Sequence, residues 1–231
     1  MIGFYDYTTF LTYLSLLSAG FGIVTSLSGS GHPYFGMFFL LFCGLCDAFD
    51  GKVARTKPNR TEREIRFGIQ IDSLSDLVAF GVLPLCIGVG LLQGNVLSFW
   101  GQVPFGRTFT VLLATVMAFY LLAGMIRLAY FNVTEEERQQ GEGGTRRVYM
   151  GLPITSASII FPTMLLVQYV LKTLFQIDAT FLYFLAMSLC AIAFLVKLEI
   201  KKPGLRGILV MVGIGVVELA LFLVTFLVFA K

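Results

Sequence analysis

The sequence predicts an all-α, polytopic membrane bundle of about seven transmembrane helices, and three observations carry that prediction. Of the 231 residues, 57% are hydrophobic and 13% charged, against about 25% charged in an ordinary soluble domain. The apolar residues fall in runs long enough to cross a hydrocarbon core, which takes about 20 helical residues. Basic residues crowd alternate connections between those runs, the pattern that orients a multi-pass chain.

The runs cover roughly residues 10–28, 33–54, 68–93, 108–131, 151–173, 178–197 and 206–230. Nearly all the chain is span, so one membrane domain over residues 1–231 is expected, with no room for a soluble one. The first run has no basic segment before it and no cleavage site after it, and reads as a retained helix, not a signal peptide. Fourteen of the 17 basic residues lie in or beside the second, fourth and sixth connections. Arg107, Lys172 and Lys231 fall on the other side. The rich side is the cytoplasmic one, which places residues 52–66 at the cytoplasmic face of a cell membrane, near anionic headgroups and soluble nucleotides. The basic residues are accounted for by orientation, and no nucleic-acid partner is expected.

Taken in order, Phe4, Tyr5, Asp6 and Tyr7 form an aromatic cluster suited to anchoring at the membrane interface. Residues 28–33 read as a tight polar hairpin whose His32, the single histidine, lies on the side away from the basic connections. Thr61 followed by Glu64 is a capping-box pattern, so a short surface helix or turn should lead into the third span. Thr134 with Glu137 repeats that pattern and predicts a second helix start, followed by a flexible stretch at Gly141, Gly143 and Gly144. Pro84, Pro153 and Pro162 should kink helices, or mark irregular backbone that lines a cavity. Cys43 and Cys46, one helical turn apart with no second pair, read as apolar packing, as do Cys86 and Cys190. Glu218 stands in the last run as either a functional acid or one side of an interhelical hydrogen bond.

The chemistry concentrates at residues 47–76. Four acids, Asp47, Asp50, Asp72 and Asp76, lie within or at the edge of apolar runs. Left unpaired at mid-membrane, each costs about 2.5 to 3.5 kcal/mol, roughly 10 or more together. A hard divalent cation compensates several converging carboxylates and also equips them for phosphate chemistry. Asp47, Asp50, Gly51 and Ala54 are spaced i, i+3, i+4 and i+7, one helical stripe with Arg55 at its margin. Gly68, Asp72 and Asp76 are spaced i, i+4 and i+8 on the next helix. On an antiparallel pair the stripes face each other, and Gly51, Ala54 and Gly68 leave a trough where a bulky ligand can approach the backbone. That arrangement suits a diphosphate held with one or two metals, with a guanidinium for phosphate. Two other readings of the acids are a polar seam paired with nearby Arg and Lys, and an ion or proton pathway. Ser73 and Ser75 are expected to bond back to carbonyls of their own helix.

These eight residues, Asp47, Asp50, Gly51, Ala54, Arg55, Gly68, Asp72 and Asp76, fill every position of the pattern DxxDGxxAR, a spacer, then GxxxDxxxD. In this the chain resembles the CDP-alcohol phosphotransferase family. Its spacer, twelve residues between Arg55 and Gly68, is somewhat longer than usual for that family. The run 67–84, FGIQIDSLSDLVAFGVLP, looks like the branch that makes phosphatidylserine. Residues 127–132, RLAYFN, and 149–153, YMGLP, are similar to segments of that branch, with Tyr130 in place of an arginine. The match covers roughly residues 35–155.

The resemblance implies that Asp47, Asp50 and Asp72 hold Mg2+ or Mn2+ against the diphosphate of CDP-diacylglycerol, beside Gly51, Ala54, Arg55 and Gly68. Asp76 would be the general base, and a metal ligand as well. The reaction implied is transfer of the phosphatidyl group to the hydroxyl of L-serine, giving phosphatidylserine and CMP. Arg127, Asn132, Arg146 and Arg147 are the candidates for the acceptor. A homodimer is implied too, as is a core of six helices, which makes the last of the seven peripheral. Alternatives are the same family with glycerol 3-phosphate or inositol phosphate as acceptor, a cation transporter that uses the intramembrane acids, and a non-catalytic scaffold.

Overall fold

Each apolar run forms a helix. The protein is described here by a computed structural model covering residues 3–28, 33–100, 106–141, 148–201 and 204–229. His32, Gly143, Gly144, Arg146 and Arg147 lie outside the described residues. A 3-10 turn, Tyr7–Thr9, is capped by Asp6, whose carboxylate accepts from the Thr8 amide at 2.7 Å and leads into α1 (Phe10–Leu27). α2 spans Phe35–Ala54 and stops at Arg55, before Pro58. α3 (Glu62–Asp76) passes through a π-helical turn, Leu77–Val82, into α4 (Leu83–Trp100). α5 (Gly106–Gly141), α6 (Ala157–Phe175), α7 (Thr180–Leu195) and α8 (Leu205–Phe229) complete the bundle. The one small sheet among the described residues pairs β1 (Val148–Met150) with β2 (Glu199–Lys201), antiparallel, Tyr149 opposite Ile200.

With α3 and α4 continuous, the described residues form a bundle of seven helices. Among the described residues five of them are long and apolar enough to cross a membrane. α7 is apolar but has only 16 residues, and α2 carries Asp47, Asp50 and Lys52 in its second half. α1 packs on α2 and α4, α5 on α7, and α6 sits among α2, α7 and α8. α8 is the peripheral helix, with Val210, Val216, Val217 and Val224 exposed. Close approach needs small residues at two crossings. A Cβ on Gly44 of α2 would lie 2.4 Å from the Ser158 hydroxyl of α6, and one on Gly90 of α4 would lie 2.4 Å from the Ser26 carbonyl.

One expectation about helix boundaries is met and one corrected. The Thr61 and Glu64 capping box forms, and turns at residues 55–59, not a surface helix, lead into the spanning helix it opens. Thr134 starts nothing: α5 runs unbroken from Gly106 to Gly141. The Thr134 hydroxyl instead donates back to the carbonyls of Tyr130 at 2.9 Å and Phe131 at 3.1 Å. A hydroxyl inside a continuing helix has those carbonyls as its nearest acceptors, and local sequence alone does not separate that from a cap.

Pro84 lies just past the π turn, where helical pairing is already irregular, and brings no N–H of its own. The Tyr120 hydroxyl of α5 donates to the Phe80 carbonyl at 2.5 Å. Tyr183 of α7 donates to the Pro84 carbonyl at 2.7 Å. Both tyrosines are fully buried beside Phe161. The core thus repairs the irregular backbone that follows the last site aspartate, as an apolar setting requires.

Candidate active site

The first two acids stand on the last turns of α2 and the third on α3, and the tertiary fold brings them together. One carboxylate oxygen from each of Asp47, Asp50 and Asp72 lies within 4.8 Å of the others, and all three residues are half-buried. The i, i+3 spacing puts Asp47 and Asp50 on one face of α2, and the Gly51 amide donates to the Asp50 carboxylate. Like charges at this separation repel strongly where water is scarce. The donor set is all hard oxygen, the chemistry that suits Mg2+ or Mn2+ and disfavours soft metals. The site therefore fits a divalent cation.

Asp76 adds a fourth acid close enough to feel the charge of all three. It lies one turn beyond Asp72, about 6 Å further along the helix, and is only 9% exposed. The π turn begins at the next residue. Neighbouring helices fix the α3 face. The Ser75 hydroxyl donates to the Thr12 carbonyl of α1 at 3.2 Å, and Asn132 of α5 donates to the Ser73 hydroxyl at 2.8 Å. These serines were expected to bond back to their own helix; instead they tie α3 to α1 and α5. Spacing within one helix could not show that partners would arrive from two others.

Gly51 and Gly68 differ from the expected open trough. The Arg55 guanidinium lies over Gly51, 3.5 Å from where a Cβ would be, and that of Arg60 lies over Gly68, 2.7 Å from the corresponding point. Long arginine stems lie along apolar helix surface and keep their heads at its polar edge. Ala54 is half-buried on the same stripe and Arg55 is exposed.

The acceptor candidates separate. Arg127 is buried; its Nε donates to the Leu152 carbonyl at 3.1 Å and its Nη2 to the Gly151 carbonyl at 3.4 Å. Its guanidinium also lies 5.7 Å from the centre of the Phe131 ring. Gly151 has φ 82, a conformation that favours glycine, and its amide donates to the Leu198 carbonyl at 2.7 Å. Arg127 therefore organises the segment 151–153. Asn132 reaches α3 beside Asp72, through Ser73.

Sequence reading missed a clasp beside the acids. Lys57 Nζ bridges Asp6 Oδ2 at 2.7 Å and Glu64 Oε1 at 2.8 Å, and Phe4 packs edge-on to Phe67 at 5.5 Å. The N-terminal segment thereby holds the connection that carries Arg55 and Arg60. The hydrogen bond from Lys57, helped by those from Thr8, holds the Asp6 carboxyl at about 2, below the usual carboxylate range. The same contacts with Asp6 and Glu64 push the Lys57 ammonium up. The signal was present in the acid at Asp6 and the lysine at Lys57, but nothing local pairs residues 51 positions apart. An open cavity of about 650 Å³ next to this clasp is lined by Tyr5, Tyr7, Phe10, Tyr13 and Val53 among others, and by none of the four site aspartates.

A family model for CDP-alcohol phosphatidyltransferase matches residues 7–217. The chain belongs to the CDP-alcohol phosphatidyltransferase family. Among curated relatives, a CDP-diacylglycerol–serine O-phosphatidyltransferase of Saccharomyces cerevisiae is 32% identical over 151 residues, covering 63% of this chain and 48% of the relative. One of the same name from Helicobacter pylori is 29% identical over 140 residues, 60% of this chain and 49% of the relative. An archaetidylserine synthase of Methanothermobacter thermautotrophicus is 33% identical over 149 residues, 63% of this chain and 53% of the relative. The chain spans about half the length of the curated relatives it matches. No solved structure matches it. Family membership, several apolar helices and an acid trio able to hold a metal describe a multi-pass membrane protein of this family.

Proposed function

We propose that the chain is a single-domain membrane phosphatidyltransferase that moves the phosphatidyl group from CDP-diacylglycerol to the hydroxyl of L-serine, releasing phosphatidylserine and CMP. The observation that carries the reading is the convergence of Asp47, Asp50 and Asp72 from two helices in a chain of this family. Serine as acceptor is supported by the names of the relatives, which include serine in both the diacylglycerol and the archaetidyl cases.

Asp47, Asp50 and Asp72 would hold Mg2+ or Mn2+, with Asp76 as a further candidate ligand. A metal bound there supplies positive charge against the diphosphate as charge shifts onto CMP. The rest falls to side chains. The nucleotide lies along the edge of the two helices marked by Gly51, Ala54 and Gly68, where Arg55, folded over Gly51, offers a guanidinium to its phosphates. Asp76 takes the proton of the serine hydroxyl as that oxygen attacks the phosphorus bearing diacylglycerol. The new P–O bond forms to serine, the P–O bond to the CMP phosphate breaks, and CMP departs with the electron pair. Burial of Asp76 one turn beyond Asp72 supports its use as the base, a role that does not exclude metal ligation. The acceptor pocket is assigned to the end of α5, with Asn132 beside Ser73, Arg127 holding the segment 151–153, and Arg146 and Arg147 supplying charge for the serine carboxylate. The site faces the cytoplasm, by the excess of basic residues on that side, and the working unit is a homodimer, as the family resemblance implies.

The test is CMP release by purified protein. CMP should appear only with CDP-diacylglycerol, L-serine and a divalent metal. Asp76→Asn should lower turnover about 10²- to 10⁴-fold while nucleotide binding persists. Turnover with glycerol 3-phosphate or inositol phosphate in place of serine would keep the family chemistry and reject serine. Metal flux into liposomes with no CDP-lipid present would reject the enzyme reading in favour of transport.

A further inference from the structure

Arg60 lies outside the eight-residue pattern, in the long connection between the two acidic helices, yet its side chain lies over Gly68 of that pattern. It directly precedes Thr61, the N-cap of α3, and the capping box fixes the backbone there. Thr61 Oγ1 accepts from the Glu64 amide at 3.3 Å, and Glu64 Oε2 accepts from the Thr61 amide at 2.7 Å. Lys57 takes the other Glu64 oxygen at 2.8 Å. The nearest acid to Arg60 in sequence is thus already engaged on both oxygens, and among the described residues Arg60 makes no ion pair.

Its guanidinium is nonetheless placed with care. Nη2 donates to the Glu64 carbonyl at 3.3 Å, while Nε is buried and finds no acceptor among the described residues. A Cβ on Gly68 would lie 2.7 Å from Nη2, so any larger residue at 68 would displace the group. Gly68 precedes Asp72 by four residues, on the same face of α3, about 6 Å along the axis. A permanently charged fork with a buried, unmade donor therefore stands one turn from the acid trio. That is within the span of a diphosphate bound there, and a charged donor left unmade is unfavourable until an anion arrives.

We propose that Arg60 is a substrate-binding residue whose guanidinium donates to a phosphate oxygen of the nucleoside diphosphate, and that Gly68 is small in order to seat it. The inference rests on the phosphatidyltransferase reading and adds a contact from outside the pattern. A planar fork suits phosphate in a way that lysine, a point charge, does not.

The test uses the full chain in nanodiscs, with KM for CDP-diacylglycerol and for serine measured separately. Arg60→Gln should raise KM for CDP-diacylglycerol about 10- to 100-fold, the range for a lost hydrogen bond to a charged group, and leave KM for serine and Tm unchanged. Arg60→Lys should recover part of the loss. Gly68→Ala should weaken the same KM in the wild-type background and add little to Arg60→Gln, since both remove one contact. Unchanged KM in both Arg60 variants, additive losses with Gly68→Ala, or equal rises in both KM values with lowered Tm would overturn the inference. Wild-type protein that releases no CMP from CDP-diacylglycerol would instead reject the parent reading.

Discussion

Acids occur in two settings on neighbouring parts of this molecule. In the clasp, Asp6 and Glu64 share one lysine, and their charge is neutralised within the chain. In the trio, Asp47, Asp50 and Asp72 converge within 4.8 Å and make no ion pair with Lys or Arg among the described residues. Both settings flank the connection between α2 and α3, where basic residues are plentiful. The trio's lack of a paired cation is therefore a matter of placement, since Lys52, Arg55 and Arg60 are all close in sequence. Three acids left unpaired where cations abound are able to hold one from outside. The clasp, by contrast, is architecture: it ties the N-terminal segment to the spacer and leaves no acid over for a ligand.

The comparison breaks first, and with the largest effect, at the trio. Asp72→Asn removes one of three converging oxygens, and with several kcal/mol of charge stabilisation at stake the loss in CMP release should be about 10³-fold. Asp6→Asn should cost far less in the same assay. Comparable losses at Asp72 and Asp6 would erase the distinction between site and architecture.

A smaller effect is expected at the clasp. Lys57→Met leaves Asp6 and Glu64 without their shared cation, but exposed ion pairs contribute little. Tm should fall slightly and CMP release by less than about tenfold. The pH dependence sharpens the point. With the Asp6 carboxyl held at about 2 in the folded protein, its contribution is fully present above about pH 4, the ordinary carboxylate value, and is lost as pH falls from there toward 2. The Lys57 ammonium, pushed up by the same contacts, loses its contribution only as pH rises past the usual lysine range. Thermal melts of wild type between pH 5 and pH 2, on the order of those bounds, should therefore decline more steeply than those of Lys57→Met.

The smallest effect is expected at Glu218, a single acid far from both settings in sequence. Its Oε1 accepts from the Thr163 hydroxyl of α6, while Oε2 has no partner among the described residues. Of the two roles open to it, the interhelical hydrogen bond is the one formed. Glu218→Gln keeps an acceptor for Thr163, so CMP release should change less than about twofold, within the net worth of one neutral hydrogen bond. A loss rivalling that of Asp72→Asn would make Glu218 part of the chemistry.

The sequence by itself determined the helical membrane bundle, because about 20 apolar residues in a row leave no other way to satisfy backbone groups in lipid. It also determined which acids share a helix face. Helical periodicity puts Asp47 with Asp50, and Gly68 with Asp72 and Asp76, on single faces whatever packs against them. Thr61 and Glu64 could be read as a cap because a capping box is local. Thr134 was misread for the same reason: its hydroxyl had a local alternative, and only the continuation of α5 to Gly141 decided it. The tertiary structure decided everything that needs a second helix at a known distance. It joined Asp72 to the α2 pair and left Asp76 a turn deeper. It turned Arg127 onto the carbonyls of residues 151 and 152, and sent Ser75 across to Thr12. It also laid Arg60 over Gly68. Spacing along one helix fixes which residues share a face; the packing of neighbouring helices fixes what that face meets.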